Sequence, residues 1–288
     1  MPYLTPPPDP APKRPRLQCP PGAWDCQVHL FGPQDKYPQD PTSPYVSAPA
    51  TAEMNISMQD TLGLARSMIV SGGGYGRDYS YMEAALEQYP QRFRGVILPP
   101  DTIADAELKR LDALGVRGVR FVSDGHAKNL PRILPQVARQ AMTLNWPVHF
   151  YPKGEDLVRY EQDLLALPNQ IVLNHFAAIP ASKGVHQPAF QTLLRMLDTG
   201  RVWVKLSGPM RASAGDMPYT EVTPLAHALI VRAPERMLWG SDWPHVNMRG
   251  RQMPNDGDLL DLLLDWAPDA AVRKKILVDN PDALYGTR

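Results

Sequence analysis

Short runs of apolar and β-branched residues alternate along the chain with longer stretches whose apolar positions recur three and four residues apart, the signatures of strand and amphipathic helix. Eight runs read as strands: WDCQVHLF (24–31), SMIVS (67–71), RGVIL (94–98), GVRFV (118–122), PVHFY (147–151), IVLNH (171–175), VWVKLS (202–207) and MLWGSD (237–242). Several are apolar nearly throughout, as strands covered on both faces should be. Helical periodicity fills the gaps at 78–88, 101–114, 130–144, 155–167, 188–197, 225–231 and 256–266. Gly115 and Gly200 stand where left-handed caps are wanted, and Pro147 and Pro168 closely follow their helices. Eight β/α units predict an α/β protein, a closed (β/α)8 barrel forming one domain over residues 21–288; a doubly wound open sheet is the alternative.

Residues 1–20 break the pattern. They are proline-rich with a basic patch at Lys13, Arg14 and Arg16, a composition that does not pack on itself and reads as a surface tail or strap. The other prolines, part of 32 in 288 residues, favour many short loops. At 43% hydrophobic the chain can bury a sizeable core. Thirty Lys plus Arg against thirty Asp plus Glu give no net charge, so no basic footprint for nucleic acid or an anionic membrane is expected. No window has the length of uncharged apolar residues that spans a bilayer. The two cysteines, Cys19 and Cys26, define neither a disulfide framework nor a CxxC motif, so a reducing, cytoplasmic setting is expected. The glycine run SGGGYG at 71–76 lacks the GxGxxG spacing, and there is no Walker loop, which argues against nucleotide use.

In a barrel of this class the chemistry sits at the carboxyl ends of the strands. On the first strand Asp25, Gln27 and His29 alternate with Cys26 and Val28, so a period of two predicts all three on the face toward the barrel axis. His149 and Tyr151 share a face of the fifth strand, and Asn174 and His175 close the sixth. Asp242 ends the eighth and His245 follows it. Arg120, Lys205 and Arg211 add cations at or near other strand ends. Each also has a plain structural reading, Lys205 above all as a buried charge, but histidines and an aspartate converging at several strand ends predict a joint site.

WDCQVHLFGP, VLNHF, VKLSGPMR, GSDWPH at 240–245 and the closing VDNPDALYG together resemble the amidohydrolase superfamily, in the branch containing 2-pyrone-4,6-dicarboxylate lactonase, sulfomuconolactone hydrolases and galactarolactone isomerase. The resemblance runs from about residue 22 to 286. It implies a distorted (β/α)8 barrel, hydrolysis of a carboxylated lactone and, as in the pyrone dicarboxylate lactonase, catalysis without a metal. It places the general base on Asp242 and a catalytic histidine on His175. Where the family has HxH on the first strand, this chain has Gln27 and His29.

An amide oxygen is a poor zinc ligand; the metal alternative is a three-ligand zinc site of His29, His175 and Asp242. The expected mechanism has Asp242 take a proton from water while His29 and His175, assisted by the Gln27 amide, donate to the developing oxyanion. The resemblance also implies substrate contacts from Arg120, Tyr151, Arg211 and His245, to which His149 and Tyr75 are added by position. Arginine suits the role because its planar fork meets a carboxylate bidentately. A second arginine that the lactonase carries after its fourth strand has no counterpart, and Lys128 or His126 stands nearest. The alternatives are lactone isomerisation, zinc-dependent decarboxylation or hydrolysis, and a barrel without activity. The expected partner is a small carboxylated lactone, and the expected assembly a monomer or small homo-oligomer.

Overall fold

A computed structural model describes residues 2–123, 130–153 and 155–286. Its strands are β1 (Tyr3–Thr5), β2 (Trp24–Val28), β3 (Tyr45–Ser47), β4 (Arg66–Val70), β5 (Phe93–Ile97), β6 (Val116–Val122), β7 (Val148–Tyr151), β8 (Ile171–Leu173), β9 (Val202–Ser207) and β10 (Met237–Gly240). The helices are α1 (Ala52–Leu62), α2 (Ser80–Gln88), α3 (Asp105–Leu114), α4 (Leu130–Met142), α5 (Asp156–Leu165), α6 (Pro188–Asp198), α7 (Pro209–Ala212), α8 (Thr223–Arg232), α9 (Asp256–Trp266), α10 (Ala270–Lys274) and α11 (Asn280–Tyr285).

All eight predicted strands form, as one parallel sheet in the order β2-β4-β5-β6-β7-β8-β9-β10. Between β10 and β2 the ends meet: the backbone N–H of Asp242 donates to Gln27 O at 2.9 Å and that of His29 to Trp243 O at 2.8 Å. Asp25 staples this seam by accepting from the Ser241 N–H (3.0 Å) and hydroxyl (2.5 Å). The fold is therefore a (β/α)8 barrel and not an open sheet. Alternate strand residues split as a two-sided burial requires. Ile69, Val119, Phe150 and Val204 pack toward the helices. Met68, Val70, Val172, Trp203 and Leu238 fill the barrel floor with Trp24 and Tyr285.

β2 departs from simple alternation. Its register against β4 shifts between Asp25 and Val28, and this irregularity turns Cys26 into the floor cluster and Asp25 toward the Ser241 seam. The expected inward Asp25 and outward Cys26 are corrected accordingly: an extra residue in one strand resets which side chains face in.

The proline-rich segment is strapped to the barrel. β1 runs parallel to β3, Lys13 pairs with Asp258 at 2.6 Å, and Arg16 pairs with Asp261 at 3.1 Å. Asp261 also accepts the Leu17 N–H at 2.8 Å, and Leu17 itself is buried.

Candidate active site

The polar strand ends converge on a cavity of about 630 Å³ at the carboxyl end of the barrel, whose walls include His29, Arg120, Tyr151, His175, Arg211 and Asp242. Asp242 sits just past β10 with φ 68°, a left-handed conformation that aspartate tolerates better than most residues. Gly240, two residues earlier, allows the approach to β2, because a Cβ there would stand 2.7 Å from that of Gln27. The two oxygens of Asp242 have different surroundings. Oδ2 accepts from Arg211 Nε at 3.0 Å and lies 2.8 Å from its Nη2. Oδ1 faces His29 Nε2 at 3.5 Å and His175 Nε2 at 3.6 Å. Burial alone would raise this carboxyl; the neighbouring His175 and Arg211, with His29, outweigh it and hold the group well below the usual carboxylate range.

His175 is presented by a run of four residues with positive φ, His175 to Ala178, an arrangement costing about 1–2 kcal/mol per residue that must be held by its surroundings. Its Nδ1 lies 3.0 Å from the Ser207 hydroxyl, and its ring meets Tyr151 edge-on at 5.2 Å. Burial lowers its pKa to about 3, against the pull of Asp242, so the ring is neutral near pH 7. Gly208 makes the crowding possible: a Cβ there would lie 2.8 Å from His175 Nδ1 and 3.2 Å from Asp242 Oδ2.

The His29 tautomer follows from chemistry. Its Nδ1 is 2.7 Å from the Val70 carbonyl, which can only accept, so Nδ1 carries the proton. In the neutral ring Nε2 then offers a lone pair toward Asp242. In that state it is an acceptor, and the Gln27 amide lies 3.4 Å from its Nε2.

Gln27 is fully buried just beneath the cavity. Its Oε1 accepts from Lys205 Nζ at 2.8 Å and from Asn174 Nδ2 at 3.4 Å. Lys205 is itself fully buried, and burial pushes its ammonium down to about 7.

These contacts bear on which donors are free for a metal ion. The only oxygen Gln27 has is engaged by an ammonium, its N–H face is turned to His29, and Asp242 already carries a guanidinium. Among the described residues no group of three or more His, Cys, Asp or Glu is arranged to hold a metal ion. No step is derived through a metal.

The expected substrate contacts divide. Arg120, Arg211 and Tyr151 line the cavity. Arg120 donates through Nη1 to Ser71 O at 2.7 Å, its guanidinium lies 5.7 Å from the Tyr151 ring centre, and its buried Nε has no protein partner.

Three other expected contacts have side chains that pair elsewhere and are not part of this cavity wall. His149 lies beneath, stacked on Tyr285 at 5.9 Å, and burial holds it well below the ordinary histidine value. His245 Nε2 is 3.0 Å from Asp256 Oδ1 at the start of α9. The Tyr75 hydroxyl accepts the Gly32 N–H at 2.9 Å and its ring stacks on Phe31. His126 and Lys128 lie outside the described residues.

Two residues went unforeseen. Tyr45, the first residue of β3 and paired with β1, lines the cavity and accepts the Gly74 N–H at 3.2 Å; so short a strand carries no periodicity that marks it. Ser207 is two residues from Lys205 on the same strand face, a spacing that could have pointed to it.

Comparison with known proteins finds relatives along nearly the whole chain. The amidohydrolase family model matches residues 24–287. The chain is 37% identical over 274 residues to 4-sulfomuconolactone hydrolase of Rhizobium radiobacter, covering 93% of this chain and 91% of that one. It is 35% identical over 288 residues to 2-pyrone-4,6-dicarboxylate hydrolase of Comamonas testosteroni, covering 95% and 93%. The crystal structure of a probable 2-pyrone-4,6-dicarboxylic acid hydrolase from Acinetobacter baumannii, with citric acid bound, superposes with a TM-score of 0.81 at 27% identity, covering 92% and 99%.

Proposed function

The chain belongs to the amidohydrolase family, and from that premise we propose that it opens a carboxylated lactone ring by water attack, with Asp242 as general base and no metal. The observation that carries the reading is the divided Asp242 carboxylate: one oxygen held by Arg211, the other turned to two imidazoles at the cavity. The relatives named as hydrolases of sulfomuconolactone and pyrone dicarboxylate support the substrate class.

The lactone's carboxylate pairs with the Arg120 guanidinium at the cavity wall, with Tyr151 and Tyr45 alongside. Water bridges Asp242 Oδ1 and His29 Nε2 from the cavity side, donating one O–H to each, so that its own lone pair faces the ring carbonyl. As the water oxygen bonds to carbon, Asp242 takes a proton; the Ser207 hydroxyl donates to His175 Nδ1, which leaves Nε2–H to donate to the oxyanion beside the Gln27 amide. Donors of this kind are commonly worth about 3–4 kcal/mol each in other hydrolases. Collapse breaks the ring C–O bond and Asp242 passes its proton to the leaving oxygen. One water is consumed and a new carboxylic acid forms, which ionises and releases one proton.

A base held far below neutrality is a weak one, and Arg211 supplies the remedy. It also faces the cavity, so a substrate anion that draws on the guanidinium loosens its hold on Oδ2 and makes Asp242 more basic only when substrate is present.

The test is proton release and ultraviolet change on a panel of carboxylated lactones, with and without chelator, beside Asp242→Asn. Asparagine also tolerates the left-handed backbone at 242, so the fold survives. Turnover that persists under chelation and falls by at least about 10³-fold in the variant is expected. No turnover on any lactone, activity restored only by added Zn²⁺, or a product of unchanged mass would overturn the reading.

A further inference from the structure

Lys205 is the one buried cation of the site that the mechanism above does not use. It is fully buried on β9, and the acceptor it meets among the described residues is the neutral Gln27 amide at 2.8 Å. An ammonium so placed is costly, and an apolar side chain of the same length would fill the space without that cost.

The arrangement has a directional consequence. In its ammonium form Lys205 has only donors, so Gln27 turns its oxygen to it; Asn174 Nδ2 approaches the same oxygen at 3.4 Å. The amide NH₂ is thereby forced toward His29 Nε2 at 3.4 Å. His29 is gripped from the other side by the Val70 carbonyl at Nδ1, 2.7 Å away. Lysine, amide and imidazole thus form a chain in which each orientation follows from the one before, and it ends 3.5 Å from Asp242 Oδ1.

We propose that Lys205 is a positioning residue for the reaction: by occupying the carbonyl oxygen of Gln27 it aims the amide N–H at the cavity side and keeps the Nε2 of His29 unprotonated and open toward Asp242. The kinetic part rests on the lactonase reading; the His29 part does not. With the ammonium gone, the Gln27 amide turns over freely, its oxygen reaches His29, and a proton is drawn onto Nε2, which leaves the water without its second acceptor.

Nitrogen-15 spectra of histidine-labelled protein, which need no substrate, are compared for wild type, Lys205→Met and Lys205→Gln, with His29 assigned by its loss in His29→Asn. In wild type the Nε2 resonance of His29 has the unprotonated, lone-pair character. Lys205→Met shifts it toward the protonated position, and Lys205→Gln, which keeps a donor, restores it in part. On an active lactone, Lys205→Met lowers kcat by about tenfold or more while KM stays within about threefold. Lys205→Met combined with Gln27→Met is no slower than Gln27→Met alone, because Lys205 acts through Gln27. His29 resonances that do not move in Lys205→Met, additive losses in the double variant, or failure of both Lys205 variants to fold would each overturn the proposal. A shifted His29 signal in a protein that turns over no lactone would sink the lactonase reading alone.

Discussion

Arg211 grips one oxygen of Asp242 with two nitrogens, Nε at 3.0 Å and Nη2 at 2.8 Å, and so divides the carboxylate into a held face and a free one. Removing the guanidinium leaves burial, which raises the carboxyl, less opposed. In Arg211→Met the acid limb of kcat/KM therefore moves to higher pH than in wild type, and Arg211→Lys moves it less. A pH–rate profile checks this, and an acid limb that does not move would show that Arg211 does not set the ionisation of the catalytic base.

Arg120 lines the cavity while its Nη1 is held by the Ser71 carbonyl. Hydrogen bonds to a charged group contribute roughly 1.5–3 kcal/mol. Arg120→Met is expected to raise KM by about tenfold or more for a carboxylated lactone, with a smaller change in kcat. An otherwise similar lactone without the carboxylate serves as the control. Equal KM changes for both compounds would mean that Arg120 shapes the cavity without reading the anion.

The His175 ring titrates near 3 in the folded protein because it is buried, against a usual value of 6.5. Between those values the unfolded chain binds a proton that the folded one refuses, so stability increases with pH there. This contribution is fully present above about pH 6.5 and is lost as pH falls toward 3. Asparagine suits the left-handed backbone at 175, so His175→Asn keeps the turn and removes the titration. Melting curves from pH 7 to 4 should show wild type losing stability faster than His175→Asn; parallel curves would contradict the neutral, buried ring.

How much of this could be read beforehand depends on where side-chain period and chemistry coincide. The eight strands were legible because one face packs under helices with Val, Ile and Phe while the other holds the floor and the site. Asp242, His175 and Arg211 were legible as polar residues at strand ends.

Helix α1 was not predicted. Its buried face includes Asn55 and Gln59, with Gln59 Nε2 donating to both Asn55 Oδ1 and the Ser67 hydroxyl. Satisfied polar groups therefore replace the apolar stripe that marks a helix. The Asp25–Cys26 reversal comes from a register shift that no residue type announces. The left-handed run from His175 to Ala178 is equally silent, since Phe and Ala have no preference for that conformation and tertiary packing imposes it.

The proline-rich strap makes the last expectation specific. Tyr3 and Thr5 pair with Tyr45 and Ser47, and the Thr5 hydroxyl accepts the Asn247 N–H at 3.3 Å; Tyr45 and Asn247 both line the cavity. The strap therefore braces two parts of the cavity wall from behind. Deleting residues 1–10 removes β1 but keeps the Lys13 and Arg16 pairs with α9, so the barrel should stay folded while Tyr45 loosens. KM is expected to rise several-fold with a smaller effect on kcat, and the melting temperature to fall by about 2–4 °C per kcal/mol lost. Extending the deletion to residue 17 strips the buried Leu17 as well, about 1.5–3 kcal/mol more, with little further change in KM. Unchanged KM in the shorter deletion would reduce β1 to a passive covering, and a KM effect that appears only in the longer one would place the bracing in the α9 clamp instead.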